Sequence, residues 1–476
     1  MNKQETKLNI IIFYILLFKC SLSYIIYSFK TRKPQIENAE NNITLLFRSL
    51  IDNNIYINIE MGQPKQVIDV FLRTDVEEFY FSEKVQSDIN TNSSNPLIFD
   101  VNSNVNNFFN SKKSMSLEIS NKSITYFKGC RHQGNFSNDI LYFRTKTLFN
   151  DNNDENDYIK KRISFILYNT TAGNMPGVLG LQVPKFKEKK EYYFIEQLKY
   201  NDIINSYFWM INYTSENEGN LIIGEQPHIF DKLNFKEEDL KIAHSFLYSS
   251  NIDWGLRFDD LYFGKTKIDV EKYCLLNYEM NYILGNSLLE KELDKYFKEF
   301  IQNGTCFKED VRYPYFPHIF YYCNKNKYKK NIIFFPSLQF NHKELNTSFK
   351  LDYKDLFVEK HDKLILMIFF DKMNMGWHLG KPFLKRYSFL MNQDTKLLGF
   401  YNKRAIINKD NDDYNYITII NIVIIILGII ILFILGVFIG KYINKSKSKP
   451  LNIIDEDFEY QSENKDFLCN SKDEKD

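Results

Sequence analysis

The sequence has no excess of charge of either sign, because 61 lysines and arginines stand against 60 aspartates and glutamates in 476 residues. A chain this balanced offers no basic surface that could follow a phosphate backbone, so nucleic acid is excluded as a partner. Cysteine is scarce, with 6 residues, and no Cys-x-x-Cys or cysteine–histidine spacing of a zinc site occurs. The motifs Gly-x-Ser-x-Gly and His-Glu-x-x-His are also missing, which excludes the serine-hydrolase and zinc-protease designs that use them. We therefore expect neither a metal nor a cofactor.

Long apolar runs are few, and one of them lies close to the N-terminus. Residues 8–18 are apolar, are preceded by Lys3 and Lys7, and are followed by small residues. This pattern is typical of a secretory signal peptide, and the run is short for a bilayer span. We predict a signal peptide over residues 1–23, cleaved near Ser23.

The second long apolar run covers residues 417–440, where Asn421 is the only strongly polar side chain. At about 1.5 Å per residue, a helix of this length crosses the roughly 30 Å hydrocarbon core of a bilayer. Lysines follow the run at once and aspartates precede it, so the positive-inside rule places residues 441–476 in the cytosol. We predict a type I single-pass membrane protein of the secretory pathway or cell surface, with a juxtamembrane linker at 406–416.

The stretch between these two runs has further features of a lumenal or extracellular chain. Sequons for N-glycosylation occur at Asn42, Asn92, Asn121, Asn135, Asn169, Asn212, Asn303 and Asn346. Cys306 and Cys323 lie close together in sequence and are the best candidates for a disulfide in an oxidising compartment. Cys130 and Cys274 either pair with each other or stay free.

Local patterning between residues 50 and 405 favours strands. Short aromatic-rich runs alternate between apolar and polar residues and end at Gly, Asn or Asp, which indicates a β-dominated body. The clearest predicted helix covers residues 286–301, where Leu289, Leu293 and Phe297 share one face.

Six segments resemble, in the same order, the landmarks of pepsin-like (A1 family) aspartic proteases. They are YINIEMGQPKQVIDVFLRTDVEEFYF (56–81), the flap hairpin ITYFKGC with the following strand GNFSNDIL (124–141), PGVLGL (176–181), EGNLIIG (218–224), WGLRFDDLYFG (254–264) and the closing WHLGKPFLKRYSFLMNQDTKLLGFY (377–401). The closing segment is the most specific of these signatures, and the collinear order makes a chance resemblance of all six improbable.

The resemblance implies an all-β, bilobal pepsin-like fold with a central cleft, followed here by one C-terminal transmembrane helix. We assign the N-terminal lobe to residues 50–215 and the C-terminal lobe to residues 216–405, with residues 24–49 as a short N-terminal arm or pro-segment. In this family each lobe supplies one Asp-[Thr/Ser]-Gly loop, and the two aspartates share a proton. Tyr126 falls at the position of the tyrosine in the flap that covers the cleft.

The first catalytic position has changed in this sequence. Counting from the Gly-x-Pro turn at Gly62, the first aspartate of the family falls on Arg73. Thr74 is retained, but the following glycine is replaced by Asp75. A shifted register would let Asp69 or Asp75 supply the acid; for Asp75 this needs two inserted residues and still lacks the glycine.

The second catalytic position has changed as well. Counting back from Gly285, the second aspartate falls on Asn277, and Tyr278 and Glu279 replace the threonine and glycine that follow it. An amide cannot act as a base near neutral pH, and neither Asp-Thr-Gly nor Asp-Ser-Gly occurs anywhere in the chain. We therefore expect no catalytic residue in this protein. The side chains expected to line the cleft are Thr74, Asp75, Tyr126 and Tyr278.

Three functions are compatible with these features. The first is a membrane-anchored pseudoprotease that binds a peptide or protein in its cleft or on an outer surface. The alternative is an active aspartic endopeptidase with an atypical dyad, and the third is an ectodomain for adhesion or display without a cleft function. The sequence leaves the ligand and the oligomeric state open.

The changed cleft itself permits two arrangements of Arg73. Asp75 and Glu279 could pair with Arg73 as an internal lock, or Arg73 could clamp a carboxylate of the ligand. The lock is favoured, because folding must satisfy a buried guanidinium before any ligand arrives.

Overall fold

The computed structural model describes residues 23–32, 42–51, 54–83, 107–127, 131–147, 158–168, 176–183, 193–245, 254–312, 317–371 and 376–401. All of these residues belong to one compact unit, residues 1–403. The predicted linker, transmembrane segment and tail lie outside the described residues, as do the predicted signal peptide up to residue 22, Asn92, Cys130 and Asn169. Within the described ranges, no helix combines the length and the apolar character needed to cross a membrane.

Strands make up most of the described chain, which confirms the predicted β-dominated body. In chain order they are β1 (Ser23–Arg32), β2 (Asn54–Met61), β3 (Gln66–Arg73), β4 (Phe79–Ser82), β5 (Glu118–Phe127), β6 (Arg131–Thr147), β7 (Tyr158–Tyr168), β8 (Gly177–Gly180), β9 (Phe208–Tyr213), β10 (Glu218–Ile223), β11 (Leu240–His244), β12 (Gly255–Phe263), β13 (Thr266–Leu276), β14 (Ile283–Gly285), β15 (Cys306–Arg312), β16 (Pro317–Asn324), β17 (Leu338–His342), β18 (Thr347–Leu351), β19 (Phe357–Lys360), β20 (Lys363–Leu366), β21 (Ile368–Asp371), β22 (Trp377–Leu379), β23 (Phe389–Asn392) and β24 (Leu397–Tyr401).

The helices of the described residues are short, with one exception. They are α1 (Ile43–Ile51), α2 (Phe194–Tyr200), α3 (Pro227–Phe230), α4 (Ser287–Gln302), α5 (Lys325–Tyr328), α6 (Tyr353–Leu356) and α7 (Lys381–Arg386), with 3₁₀ turns at Ser111–Lys113, Glu237–Asp239 and Ile332–Phe334. The long helix α4 confirms the predicted helix over 286–301 to within one residue at each end. Asn286 caps it by accepting a hydrogen bond from the Leu289 amide, and the predicted face is buried.

The first sheet has 13 strands in the order β11-β24-β23-β9-β10-β1-β2-β3-β8-β4-β7-β6-β5. β1 lies inside it, with Ile25 opposite Ile223 of β10 and Phe29 opposite Ile57 of β2. Residues predicted as an arm or pro-segment thus begin with a strand that is paired on both sides. The sheet also joins strands from both sides of the predicted lobe boundary at residues 215 and 216.

The second sheet has 11 strands in the order β18-β17-β12-β13-β22-β14-β21-β16-β20-β19, with β15 paired to β16 off this path. Two sheets in a mostly β chain fit the bilobal pepsin-like fold that the resemblance implies. The alternation that predicted strands is seen directly in β2, where every second side chain is buried. Apolar residues of both sheets belong to one continuous core cluster.

A disulfide joins Cys306 at the start of β15 to Cys323 near the end of β16, as predicted. The two residues lie directly opposite each other in the antiparallel pair. Cys274 on β13 is a free thiol and is buried, and burial raises its pKa well above the ordinary value for cysteine.

Candidate functional site

The same strand arrangement occurs twice and positions two loops. In the first lobe, β3 pairs in parallel with β8, and Leu72 lies opposite Leu179. In the second lobe, β13 pairs in parallel with β22, and Leu276 lies opposite Leu379. The first-lobe loop (residues 74–78) follows β3 directly, and the second-lobe loop (residues 277–282) follows β13 directly.

This repeat makes specific residues of the two loops equivalent. Arg73 and Asn277 are each the next residue after the paired leucine, which agrees with the positions obtained by counting from Gly62 and from Gly285. By the same count, Asp75 is the equivalent of Glu279. Asp69, which a shifted register would have offered as the acid, lies on β3 away from the loop and accepts hydrogen bonds from Asn58 (2.7 Å) and Asn107 (3.2 Å).

Each loop is held tightly by a neighbouring glycine. A Cβ atom on Gly180 would lie 2.5 Å from the Glu77 carbonyl carbon, and one on Gly380 would lie 2.2 Å from the Tyr282 carbonyl oxygen. No side chain larger than glycine fits such approaches without moving the loop backbone. The glycines of the PGVLGL and WHLG segments therefore keep both loops packed closely against the strands that contain or precede them.

Backbone hydrogen bonds fix the loops further. The Leu181 amide donates to the Arg73 carbonyl at 2.7 Å, and the Asn277 amide donates to the Leu379 carbonyl at 3.1 Å. The Asn277 side-chain oxygen accepts a hydrogen bond from the Glu279 amide at 3.0 Å. Asn277 thus uses its amide oxygen to close its own turn, as Asx turns do.

Arg73 makes a two-point contact with Asp75. Its Nε donates to Oδ1 and its Nη2 donates to Oδ2, both at 2.8 Å. Nε also lies 3.8 Å from Oε1 of Glu279 in the other lobe. The pairing expected for an internal lock is therefore confirmed, with a two-point contact to Asp75 and a longer ion pair with Glu279.

Glu279 is the residue that connects the two loops. Its Oε1 accepts a hydrogen bond from the Thr74 amide, and the Thr74 hydroxyl lies 2.9 Å from Oε2 and 3.1 Å from Oε1. The Glu279 side chain is only 12% exposed, against 23% for Arg73. One largely buried carboxylate of the second lobe thus receives two donors, an amide and a hydroxyl, from a single residue of the first.

The local environment shifts the pKa values of both charged partners. Burial disfavours the charged guanidinium, but the hydrogen bonds to Asp75 and the charges of Glu279 and Asp75 outweigh it, so the pKa of Arg73 lies above its ordinary value. Burial raises the pKa of the Glu279 carboxyl, while the charge of Arg73 acts in the opposite direction without reversing the shift.

The residues predicted to line the cleft have different positions. Thr74 is buried and bonded to Glu279, and Asp75 is partly exposed and bonded to Arg73. Tyr278 was predicted to line the cleft but is buried, with its ring centroid 6.3 Å from that of Trp209. Burial raises its pKa above the ordinary value. Tyr126 lies on β5 opposite His132 of β6, and its side chain is outside the described part of the structure.

Helix α1 is a neighbour of the second-lobe loop that the sequence interpretation missed. Asn281 donates a hydrogen bond to the Ile51 carbonyl at 3.1 Å, and Phe47 packs against Phe369 with ring centroids 5.2 Å apart. The buried side chains of α1 belong to the same apolar cluster as Leu284, which lies just after the second-lobe loop. The signal was present in the sequence: Asn42 is a capping residue, and apolar residues follow at helical spacing at positions 43, 46, 47 and 50.

Two parallel-strand units that each hold a loop over a close-packed glycine define a protein of the two-lobed acid-protease class. The chain matches the family model of the eukaryotic aspartyl proteases over residues 54–403, and it belongs to that family. It is also similar to the RecBCD enzyme subunit RecC of Buchnera aphidicola subsp. Acyrthosiphon pisum (strain APS), with 27% identity over 50% of this chain and 24% of that subunit. The chain thus spans about a quarter of the length of this relative.

The ion pairs of Arg73 are expected to stabilise the folded protein. Arg73→Ala should lower the free energy of unfolding by about 2 kcal/mol, because it removes two charge-assisted hydrogen bonds and leaves Asp75 and Glu279 facing each other. Arg73→Lys should restore only part of this loss, since an ammonium group cannot make the two-point contact. Urea unfolding of the three proteins measures both effects.

Arg257→Ala is the matched control for that measurement. Arg257 pairs with Glu271 on the surface, where both side chains are more than half exposed, and its removal should change stability by less than about 0.5 kcal/mol. Equal effects of Arg73→Ala and Arg257→Ala would contradict the lock.

The buried carboxyl of Glu279 is expected to make stability depend on pH. Because its pKa is raised in the folded state, its contribution is complete below the ordinary glutamate pKa of about 4.3 and is lost as pH rises through the folded-state pKa. The stability of the wild type relative to Glu279→Gln should therefore fall as the pH rises above about 4.3. Urea unfolding at several pH values measures this difference.

Arg73 provides the internal control for the pH effect. Since its charge lowers the pKa of Glu279, the same Glu279→Gln comparison made in Arg73→Ala should show a larger fall over the same pH range. A difference that is flat or rises with pH in the wild type would contradict the assignment of a raised pKa to Glu279.

Proposed function

We propose that this chain is a non-proteolytic, type I membrane-anchored member of the eukaryotic aspartyl protease family, a pseudoprotease that binds a peptide or protein through its pepsin-like fold. One observation carries the proposal: Arg73, at the position counted as the family's first aspartate, is hydrogen-bonded to Asp75 of its own loop and ion-paired with Glu279 of the other loop.

The chemistry of the family cannot run on this arrangement. Aspartic proteases need two carboxylates about 3 Å apart with one proton between them, so that one accepts a proton from water while the other donates one. Arg73 stays protonated at any accessible pH, and Asn277 has no acidic proton to share. The loops thus keep the position of the dyad without its acid and base.

An active endopeptidase with an atypical dyad is the second candidate. Asp75 and Glu279 are equivalent in the two loops, and both contact the same arginine, so they are the pair such an enzyme would use. Two contacts argue against this second candidate. Both carboxylate oxygens of Asp75 accept hydrogen bonds from Arg73, and both carboxylate oxygens of Glu279 accept hydrogen bonds from the Thr74 hydroxyl.

The lock also bears on what the cleft binds. Because Arg73 is satisfied internally, it is not available as a clamp for an acidic side chain or a chain terminus. Helix α1 covers apolar residues next to the second-lobe loop, among them Leu284 and Phe369. The proposed peptide or protein ligand is therefore expected to contact the fold away from this centre, and a role in adhesion or display needs no contact with it.

The purified full-length protein is expected to cleave no denatured protein substrate between pH 3 and 7. Arg73→Asp combined with Asn277→Asp should also be inactive, because Asp75 and Glu279 still stand where the family has glycines and would add repulsion to the new pair. Release of peptides from unfolded casein, with and without pepstatin, measures this activity.

The control for this assay is Asp75→Ala. Pepstatin-sensitive cleavage by the wild type that is lost in Asp75→Ala would overturn the proposal in favour of the atypical dyad. Cleavage that both proteins retain equally would indicate a contaminating protease, which a preparation from cells lacking the chain would identify.

The topology is supported by the apolar run at 417–440 and by the sequons. We expect glycans at Asn303 and Asn346, which are exposed, when the full chain is made in eukaryotic secretory cells. Asn212 should stay unmodified, because it lies on β9 between β10 and β23 and accepts a hydrogen bond from Ser388 at 2.8 Å. Glycosidase release followed by mass mapping measures occupancy at each asparagine.

Ser348→Ala is the matched control for this mapping, because it destroys the sequon of Asn346 and leaves that of Asn303 intact. A chain without any glycan would contradict the lumenal assignment of the ectodomain, and a fully occupied Asn212 would contradict the argument from strand pairing.

A further inference from the structure

A second feature, unrelated to the cleft, stands out in the C-terminal lobe. From Val311 to Lys343 the chain contains no aspartate or glutamate, although a quarter of the whole protein is charged. Within this stretch, residues 327–334 read KYKKNIIF and contain three lysines followed by three consecutive large apolar residues. We call residues 327–334 the basic tip.

The backbone determines which apolar side chains of the basic tip face outward. Ile332–Phe334 is a 3₁₀ turn, in which residues three apart share a side. Phe335 is buried, and Ile332, three residues earlier, packs against the same core. The two residues between them face solvent: Ile333 is 57% exposed and Phe334 is 74% exposed.

The basic tip is fixed to a rigid base. Tyr328 is buried and makes an edge contact with Phe300 of α4, with centroids 5.1 Å apart. Phe335 lies 4.9 Å from Phe357 in another edge contact. The exposed pair is therefore held in place by aromatic packing on both sides of the turn.

The lysines of the basic tip are available for an external partner. Lys327, Lys329 and Lys330 are exposed, and in the described part of the chain no ion pair involves any of them. Lys325, just before the tip, is different because it pairs with Glu359. The tip thus combines three uncompensated positive charges with two outward apolar side chains.

Among the described residues, no other two exposed large apolar side chains are adjacent in sequence. Met115, beside Lys112 and Lys113, is a single exposed apolar residue, and Leu233, 96% exposed, is another, with Asp231 and Glu237 offsetting Lys232 and Lys236. Two adjacent apolar residues are also a small contact for a stable protein partner, which would cover about 800 Å². Apolar side chains next to lysines match an anionic bilayer, where the former enter the interface and the latter contact lipid phosphates.

We propose that the basic tip is a membrane-contact site that inserts Ile333 and Phe334 into a bilayer containing anionic phospholipids. This goes beyond the proposed function, because it concerns the outer surface and holds whether or not the cleft is catalytic. Under the proposed type I topology, the contact requires anionic lipid in the lumenal or outer leaflet.

Tryptophan fluorescence offers a direct test. The chain has 3 tryptophans, and all of them, Trp209, Trp254 and Trp377, are buried. Phe334→Trp therefore adds an exposed reporter at the tip. The full-length variant is reconstituted in vesicles of phosphatidylcholine with or without phosphatidylserine, and quenching by brominated lipid is measured. We expect quenching and a blue-shifted emission that increase with phosphatidylserine.

Two further variants make the result decisive. Leu233→Trp places a reporter at an even more exposed apolar position and should show no quenching above background. Adding Lys327→Gln, Lys329→Gln and Lys330→Gln to Phe334→Trp should reduce the contact equilibrium about a hundredfold, at about fivefold per lysine, and lower quenching to that background.

Each other outcome overturns the proposal. Absence of quenching in Phe334→Trp rules out insertion, and equal quenching in Leu233→Trp shows that proximity to the bilayer is not specific to the tip. Quenching that is independent of both phosphatidylserine and the lysines rules out recognition of anionic lipid. A blue shift that appears without vesicles and rises with protein concentration would assign the tip to contact between copies of the chain.

Discussion

A guanidinium at the junction of two loops needs carboxylate partners, since burying it unpaired costs several kcal/mol. Arg73 obtains them from its own loop through Asp75 and from the opposite loop through Glu279. Glu279 in turn accepts from the Thr74 amide and hydroxyl, so that one carboxylate connects both lobes. The position of the second-lobe loop relative to the first thus depends on a small set of charges at the centre.

The scaffold around this centre matches the family although Arg73 and Asn277 stand at the positions counted as its aspartates. Gly180 and Gly380 still allow backbone approaches that no Cβ would permit, and β3 and β13 still pair in parallel with the segments that contain them. The close packing of these glycines and the parallel strand pairs do not depend on which side chain stands at position 73 or 277. The strand arrangement can therefore persist in a chain with Arg73 and Asn277 next to the paired leucines, and sequence landmarks far from the loops remain recognisable.

Sequence reasoning reached the strands, α4 and the Cys306–Cys323 disulfide because each depends on a local or regularly spaced signal. It also reached the pairing of Arg73 with Asp75 and Glu279, because a buried charge restricts its possible partners. It missed the burial of Tyr278, which depends on contact with Trp209 from a distant strand. It also missed α1, whose nine residues are too few to be stable without the tertiary contacts that Phe47 makes.

The sequence by itself determined the fold class and the absence of any Asp-Thr-Gly or Asp-Ser-Gly triplet, since periodicity and motifs are written along the chain. Tertiary structure alone decided that Glu279 reaches Thr74 across 205 positions, and that Ile333 and Phe334 point outward while Phe335 points inward. Consecutive residues such as Ile333, Phe334 and Phe335 are all large and apolar, so their residue types do not tell which of them faces solvent. The direction in which a side chain points is set by the packing of the residues around it, and that packing exists only in the folded molecule.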